Sequence, residues 1–389
     1  MQAQDRVKPS NQKLPIGIVG GGIGGLTLAI ALRQFELPVV VFERVKQIAP
    51  VGAGISLWPN ATRVLHRLGL LKALRARAQE IRTVRLQTDD GTLLSQTRAP
   101  GTFEVPSMCI HRADLHQVLL QALPQSAVRM NQEVARFERQ IDNVLVEFEQ
   151  GNTLSLDALI GCDGLHSVVR SQVLGVRAPR YNGYAVWRAI ARAHLPEHAD
   201  GIGTESWGHG LRFGVFPLDE SRVYWYACAN EPMNSPDSPS SKERLLSLFS
   251  SWHPPIPGLI DATEEAAIIK HSTFDRPPAK TWGSGRITLL GDAAHPMTPN
   301  LGQGACSAIE DAFVLARKIM TSGDIALGLR AYEKERLQRT TQLVNQSRRM
   351  GNIGQWSHPL SIEIRNTLMR LMPDALGDLT QRKIFSYGK

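Results

Sequence analysis

The 389-residue chain has only four cysteines, Cys109, Cys162, Cys228 and Cys306, and no spacing among them suggests a pair. That excludes a disulfide-stapled scaffold and reads as reduced, mostly buried thiols of a cytoplasmic protein. Long apolar runs are equally scarce. The one stretch of membrane-span length, Ile16 to Leu32, carries six glycines and reads instead as strand, turn and helix. Met1 to Lys13 is polar and lacks an apolar core, so neither a signal peptide nor a transmembrane segment is expected, and this leader reads as disordered. Metal-ligand spacings are missing too. His194 and His198 lie four apart, but Pro196 breaks the helix that would align them, and no metal site is expected. Acidic residues are outnumbered 36 to 44, a net charge of +8. The excess sits in helix-like stretches, Arg63 to Arg85 and Arg330 to Arg349, without interleaved aromatics. That argues against a nucleic-acid groove and leaves attraction of anionic cofactors as the use of the charge. At 21% charged and 42% apolar, the rest is ordinary globular composition, long enough for two domains.

Glycine is what the chain does have, placed in three signatures far apart: Gly20-Gly21-Gly22-Ile23-Gly24-Gly25, Cys162-Asp163-Gly164 and Gly291-Asp292. In the first, Ile16 to Val19 predicts a buried strand and Ile23 to Gln34 a helix. Between them Gly20 permits the tight turn, Gly22 lets backbone approach a pyrophosphate, and Gly25 lets helix pack on strand. Helix-start amides then face the anion. A second strand, Pro38 to Phe42, ends at Glu43, placed to bind a ribose hydroxyl pair and to repel a ribose phosphate. The site should therefore hold FAD or NAD rather than NADP. A dinucleotide gripped by the start, middle and end of a chain is long and buried, which favours FAD.

The predicted organisation is α/β, a Rossmann-type nucleotide-binding domain interrupted by an antiparallel sheet. Residues 14–180 form its first part, including a β-meander over Val134 to Leu156. Residues 181–280, with strand-like runs at Gly183 to Ala193, Leu211 to Phe216 and Arg222 to Ala229, carry most of the Trp and Tyr and form the inserted substrate domain. Residues 281–389 return to the first domain and add C-terminal helices.

From Pro15 to Leu371, with all three signatures in order, the chain resembles the class A flavoprotein monooxygenases of the p-hydroxybenzoate hydroxylase fold, in the group of salicylate hydroxylase, urate hydroxylase and zeaxanthin epoxidase. The resemblance implies FAD, NADH or NADPH as transient donor, and O2, with one oxygen atom placed on a small aromatic or heteroaromatic substrate through a flavin C4a-hydroperoxide. Epoxidation of an isoprenoid, or flavin chemistry without oxygen insertion, is the alternative it leaves. It further implies that Gly20, Gly22, Gly25, Glu43 and Arg44 hold the adenosine and pyrophosphate, and that Ser56 and Arg112 contact ribityl and phosphate. Val134 would meet adenine through its backbone, Asp163 would serve both FAD and the donor, and Asp292 would bind a ribityl hydroxyl. In Pro299-Asn300-Leu301-Gly302-Gln303-Gly304-Ala305, the amides of Gly302, Gln303, Gly304 and Ala305 would approach the flavin ring at a helix start. The positive end of that helix would stabilise negative charge there.

Substrate contacts rest on Arg212 and Tyr224, which look like the Arg and Tyr that urate-hydroxylase relatives use on a heteroaromatic ring, with Pro299 at the head of the flavin loop. Both are equally readable as ordinary sheet residues. Alternation in Arg222-Val223-Tyr224-Trp225-Tyr226 allows only Tyr224 or Trp225 to face the flavin and leaves open which. Trp187 fits a pocket wall or sheet packing, and His295 reads as structural rather than as a base. The Trp-x-Trp-x-Ile-Pro signature of flavin halogenases is absent. Substrate identity and oligomeric state, monomer or homodimer, stay open.

Overall fold

A computed structural model describes residues 14–48, 52–98, 105–195, 200–372 and 384–385. The leader Met1–Lys13 and the His198 of the histidine pair lie outside them. A parallel sheet of five strands organises the nucleotide-binding part, in the order β18 (Ile287–Leu289), β12 (Ala158–Gly161), β1 (Ile16–Val19), β2 (Val39–Glu43) and β8 (Val128–Met130). Its first three members are short and apolar, and every residue of β1, β12 and β18 is buried, as expected of a parallel sheet covered on both faces. Helix α1 (Ile23–Gln34) is buried along most of its length because it is wedged against the sheet and a later helix, Gly304–Ser322.

The meander strands Val134–Arg139, Val144–Phe148 and Thr153–Leu156 form their own three-stranded sheet. Another small sheet orders Gly54–Leu57, Ser107–His111 and Ala78–Ile81. Where the leucine pattern around Leu65 to Leu74 suggests one helix, there are two, Pro59–Arg67 and Leu71–Arg75, separated at Gly69 with φ +79°. A right-handed helix cannot pass through that conformation.

The second large sheet has seven strands, ordered β17 (Ile269–Asp275), β13 (Arg180–Arg192), β16 (Arg222–Asn230), β15 (Leu211–Pro217), β14 (Ile202–Trp207), β5 (Thr83–Thr88) and β6 (Leu93–Arg98). Strands from the first segment thus complete the inserted sheet, through a parallel pairing of β14 with β5. Helices Ser241–Phe249 and Ile256–Asp261 cover one face, packing on Ala185, Trp187, Phe213, Trp225 and Ala227. By the two-residue alternation of strands, Tyr184, Val186, Arg188, Arg212, Gly214, Phe216, Tyr224, Tyr226 and Cys228 belong to the opposite face, toward the nucleotide-binding part. A 30-residue helix, Ile325–Gly354, runs from one part to the other. At 1.5 Å per residue it spans roughly 45 Å. No described helix is long and apolar enough to cross a membrane.

Candidate active site

The three glycine signatures meet. β1, β12 and β18 are adjacent and parallel, so Gly20, Cys162-Asp163-Gly164 and Gly291-Asp292 all follow the carboxyl ends of neighbouring strands. Open α/β sheets bind ligands in the crevice at that end. Gly20 has φ +104°, and a Cβ there would lie 2.5 Å from the Cys162 carbonyl oxygen, so the first two signatures touch. A Cβ on Gly24 would strike Leu290 at 2.7 Å, which joins the first to the third. Gly22 differs: a Cβ there would meet nothing. It opens on space, as a backbone reserved for a ligand should.

Two helices begin at this crevice without a side-chain cap. Gly22 precedes α1, and Gln303 precedes Gly304–Ser322. Ser167, Ser240 and Asp324 cap their helices, while those starting at Pro59, Leu71, Arg112, Ile256 and Pro359 are also uncapped. The first-turn amides of an uncapped helix need another partner, and an anionic group suits them. Glu43 Oε2 accepts from the Gly21 amide at 2.8 Å, fixing the acidic strand end beside the glycine turn, while His116 Nε2 lies 2.6 Å from the Gly21 carbonyl oxygen. Asp292 sits deep among protein atoms yet keeps an exposed side chain, so it lines the crevice. Burial pushes its carboxyl above the usual range, with His295 and Arg112 offsetting part of the rise. Arg44 and Arg112 are exposed, Ser56 is half-buried and Val134 is buried at the head of the meander.

Asp163 is engaged locally. It accepts from Ser167 Oγ at 2.5 Å and from the Val168 and Val169 amides at 2.7 and 3.2 Å, holding the start of helix Val168–Leu174. Arg170 from that helix donates to the Ala293 and Ala294 carbonyls, both at 2.8 Å, so the second signature braces the third.

Behind the flavin-loop candidates lies a buried network that the sequence does not announce. Asn60 Nδ2 bridges Gln303 Oε1 at 3.0 Å and Glu310 Oε1 at 2.5 Å. Arg336 pairs with Glu310 and Asp311, each at 2.6 Å, and Asp311 also meets His295 Nε2 at 2.6 Å and accepts from the Gly291 amide at 3.1 Å. Burial alone would raise the Asp311 carboxyl, but His295 and Arg336 outweigh it and hold the group at about 2. The network thus ties Gly291 and Gln303, at either end of the loop, to one rigid base. Its members were invisible beforehand because nothing in the spacing of Asn60, Glu310 and Arg336 links them. His295 joins this network through Asp311. Gln303 Nε2 and Trp58 Nε1, both buried beside Gly302, keep unmatched hydrogen-bonding capacity, which fits a crevice that awaits a polar ligand.

Across the crevice stands the sheet face. Tyr224, not Trp225, is directed to it: the Tyr224 ring packs on Gly54, next to Ser56, whereas Trp225 Nε1 donates to Thr263 at 3.0 Å on the helix-covered side. Trp187 is sheet packing as well, bonded to Asp237 at 2.8 Å and lying under Lys270. Burial pushes the Tyr224 hydroxyl up to about 12. Arg212 is 2% exposed, and all three guanidinium nitrogens are engaged, with Gln355 at 2.7 Å, Glu205 at 3.4 Å and Asn300 at 2.7 Å. Tyr184 also donates to Asn300, at 3.2 Å. Pro299 opens the turn that carries Asn300 and ends at Gly302, φ +60°. The sheet face therefore touches the facing loops at two points, Gly54 through Tyr224 and Asn300 through Arg212. Between those points lie Tyr226 and Arg188. Tyr226 shares the parity of Tyr224, a signal that alternation already carried; Arg188 had none beyond its place opposite Tyr226.

A family model described as "FAD binding domain" matches residues 13–347. The chain belongs to this FAD-binding family. Among similar proteins, aurachin C monooxygenase/isomerase from Stigmatella aurantiaca is 40% identical over 95% of this chain and 97% of its own length. A 3-amino-4-hydroxybenzoate 2-monooxygenase from Streptomyces cremeus is 36% identical, over 87% of both. Klebsiella pneumoniae HpxO, solved with FAD and uric acid, superposes with TM-score 0.86 at 30% identity, over 95% of this chain and 96% of that one. The protein is an FAD-dependent monooxygenase of the p-hydroxybenzoate hydroxylase fold.

Proposed function

We propose that this flavoprotein uses NADH or NADPH and O2 to hydroxylate a small aromatic or heteroaromatic ring held between the flavin loops and the Tyr224 face of the seven-stranded sheet. The observation that carries the reading is the double contact of that face with the loops, at Gly54 through Tyr224 and at Asn300 through Arg212, which brings the sheet face carrying Tyr224 and Tyr226 against them. Relatives named as monooxygenases and hydroxylases speak for hydroxylation over epoxidation or oxygen-free chemistry. A cytoplasmic setting agrees with four free thiols.

Bound FAD supplies hydride acceptance and O2 activation. The chain's own residues do the rest. The turn amides at Gly20 and Gly22, the close packing at Gly25 and the start of α1 would hold pyrophosphate; Glu43 and Arg44 would take the adenosine side, and Val134 would meet adenine through its backbone. Ser56, Arg112 and Asp292 hold the ribityl and phosphate portion, while Asp163 keeps its turn in place through its three local bonds. The amides of Gly302, Gln303, Gly304 and Ala305, at the positive end of a 19-residue helix, stabilise negative charge on the ring system. Tyr224, protonated at neutral pH because burial raises it to about 12, donates a hydrogen bond to an oxygen of the substrate ring. Arg212 acts through Asn300, fixing the turn that begins at Pro299. Closing the sheet over the loops excludes water from the reacting atoms.

A stopped-flow screen tests this. Hydroxybenzoates, urate and alkyl-4-quinolones are offered to FAD-loaded protein with NADH and with NADPH. At least one ring compound should accelerate flavin reduction and be recovered with one added oxygen atom. A panel that never accelerates reduction, with FAD fully bound, contradicts the proposal.

A further inference from the structure

On the sheet face toward the loops of Gly54 and Asn300, Arg192 is exposed and Arg222 is paired with Asp219 at the strand ends, while Arg188, Arg212 and Glu205 lie nearer the middle. Glu205 is taken by Arg212, at 3.4 Å, and Arg212 is otherwise spent on Gln355 and Asn300. Arg188 is left over. It sits on β13 directly opposite Tyr226, flanked along its own face by Val186 and Ile190, and opposite Ile269 on the other neighbouring strand. Its side chain is half-buried, and among the described residues it makes no hydrogen bond or ion pair. The groups around it are Tyr224, Cys228 and His271, none of which offers a negative charge at neutral pH. A half-buried cation beside Tyr224 and Tyr226, with no protein carboxylate paired to it, is free to take a ligand oxygen. Its fork geometry suits a planar oxygen pair, such as a carboxylate, or the oxygen of a ring enolate or carbonyl.

We infer that Arg188, rather than Arg212, is the residue that receives the anionic or carbonyl oxygen of the substrate ring, and that this flavoprotein selects ring compounds bearing such a group. Arg188 is then a specificity-determining residue. Arg212 is a positioning residue that holds Asn300. The inference rests on the proposed ring-hydroxylating site, but it concerns recognition rather than turnover.

The test is therefore a binding measurement on FAD-loaded protein, by calorimetry and by perturbation of the flavin absorbance. Matched pairs are used: 3-hydroxybenzoate with 3-hydroxybenzamide, salicylate with salicylamide, and a 4-quinolone with its 4-deoxy quinoline. Wild-type protein should bind the better oxygen-bearing member of at least one pair about 10- to 100-fold more tightly than its partner. Arg188→Gln should erase that preference without changing FAD content, and Arg188→Lys should keep part of it. The Lys variant and the wild-type preference also stand alone if the Gln variant folds poorly. Absence of any preference in wild type, or an Arg188→Gln variant that discriminates as wild type does, overturns the inference. Binding that depends on Arg188, without substrate-stimulated NAD(P)H oxidation, would leave it standing and remove the hydroxylase reading instead.

Discussion

The two halves of the molecule state their chemistry in different languages. The nucleotide crevice is written in backbone: Gly20 must adopt φ +104°, Gly25 has its own turn's carbonyl where a Cβ would go, and Gly302 turns at φ +60°. The sheet face is written in side chains on a regular backbone, where Tyr224, Tyr226, Arg188 and Arg212 differ from their neighbours only in chemistry and in parity. A backbone constraint admits one residue type, whereas a sheet position admits many. Substitutions in the crevice should therefore be all-or-none, and those on the face graded.

The largest effect should come from Gly25→Val. Its side chain would collide with the Gly20 carbonyl and with Ile18 and Cys162, so turn and helix could not both persist. We expect colourless protein, if soluble, with no FAD bound by absorbance at any added flavin concentration. Next is Arg336→Met, which takes one cation from a fully buried network and leaves Glu310 with Arg339 and Asp311 with His295. Losing one partner of a buried ion network should cost about 3 kcal/mol, to be read as a lower urea midpoint with unchanged slope. Full stability in that variant would show the network to be incidental.

Acid titration sharpens the same half. Asp311 lies at about 2 when folded, against an ordinary value of 3.8. A depressed carboxylate stabilises the fold above its unfolded value, and that contribution is lost as pH falls from about 4 toward 2. Urea unfolding at pH 7 and at pH 3 should record a loss on the order of 1 kcal/mol from this group, absent in an Asp311→Asn, Arg336→Met double variant. On the sheet face, Tyr224→Phe should be milder. FAD content and melting temperature should match wild type, while kcat/KM for an accepted ring compound falls about 10- to 100-fold, the range of one lost hydrogen bond to a reacting group. If Tyr224→Phe released FAD, the division between the two halves would fail.

The same division explains what was legible in the sequence. The turn at Gly20 to Gly25, its flanking strand and helix, Glu43, and the Pro299 to Ala305 loop could be placed because only glycine, or a strand-end acid, satisfies those sites. Tyr224 could be narrowed to one of two residues by alternation, and packing on Gly54 decided between them. Strand Ile202–Trp207 went unread because Gly203 and Glu205 face the crevice side and disguise its alternation. Arg212 is open in the sequence to either a substrate contact or sheet packing, and its engagement with Gln355, some 140 residues away, is a tertiary fact that no local pattern encodes. The same holds for Asn60 with Glu310 and for the isolation of Arg188.

The central claim is that FAD and the ring to be hydroxylated share the space between the Gly302 turn and the Tyr224 face. A crystal structure of FAD-loaded protein with the compound that most accelerates flavin reduction tests it most directly. The flavin ring should lie against the amides of Gly302 to Ala305, with the compound between it and Tyr224, Tyr226 and Arg188. A compound bound on the helix-covered side of the sheet, or FAD outside the crevice of β1, β12 and β18, would contradict the account.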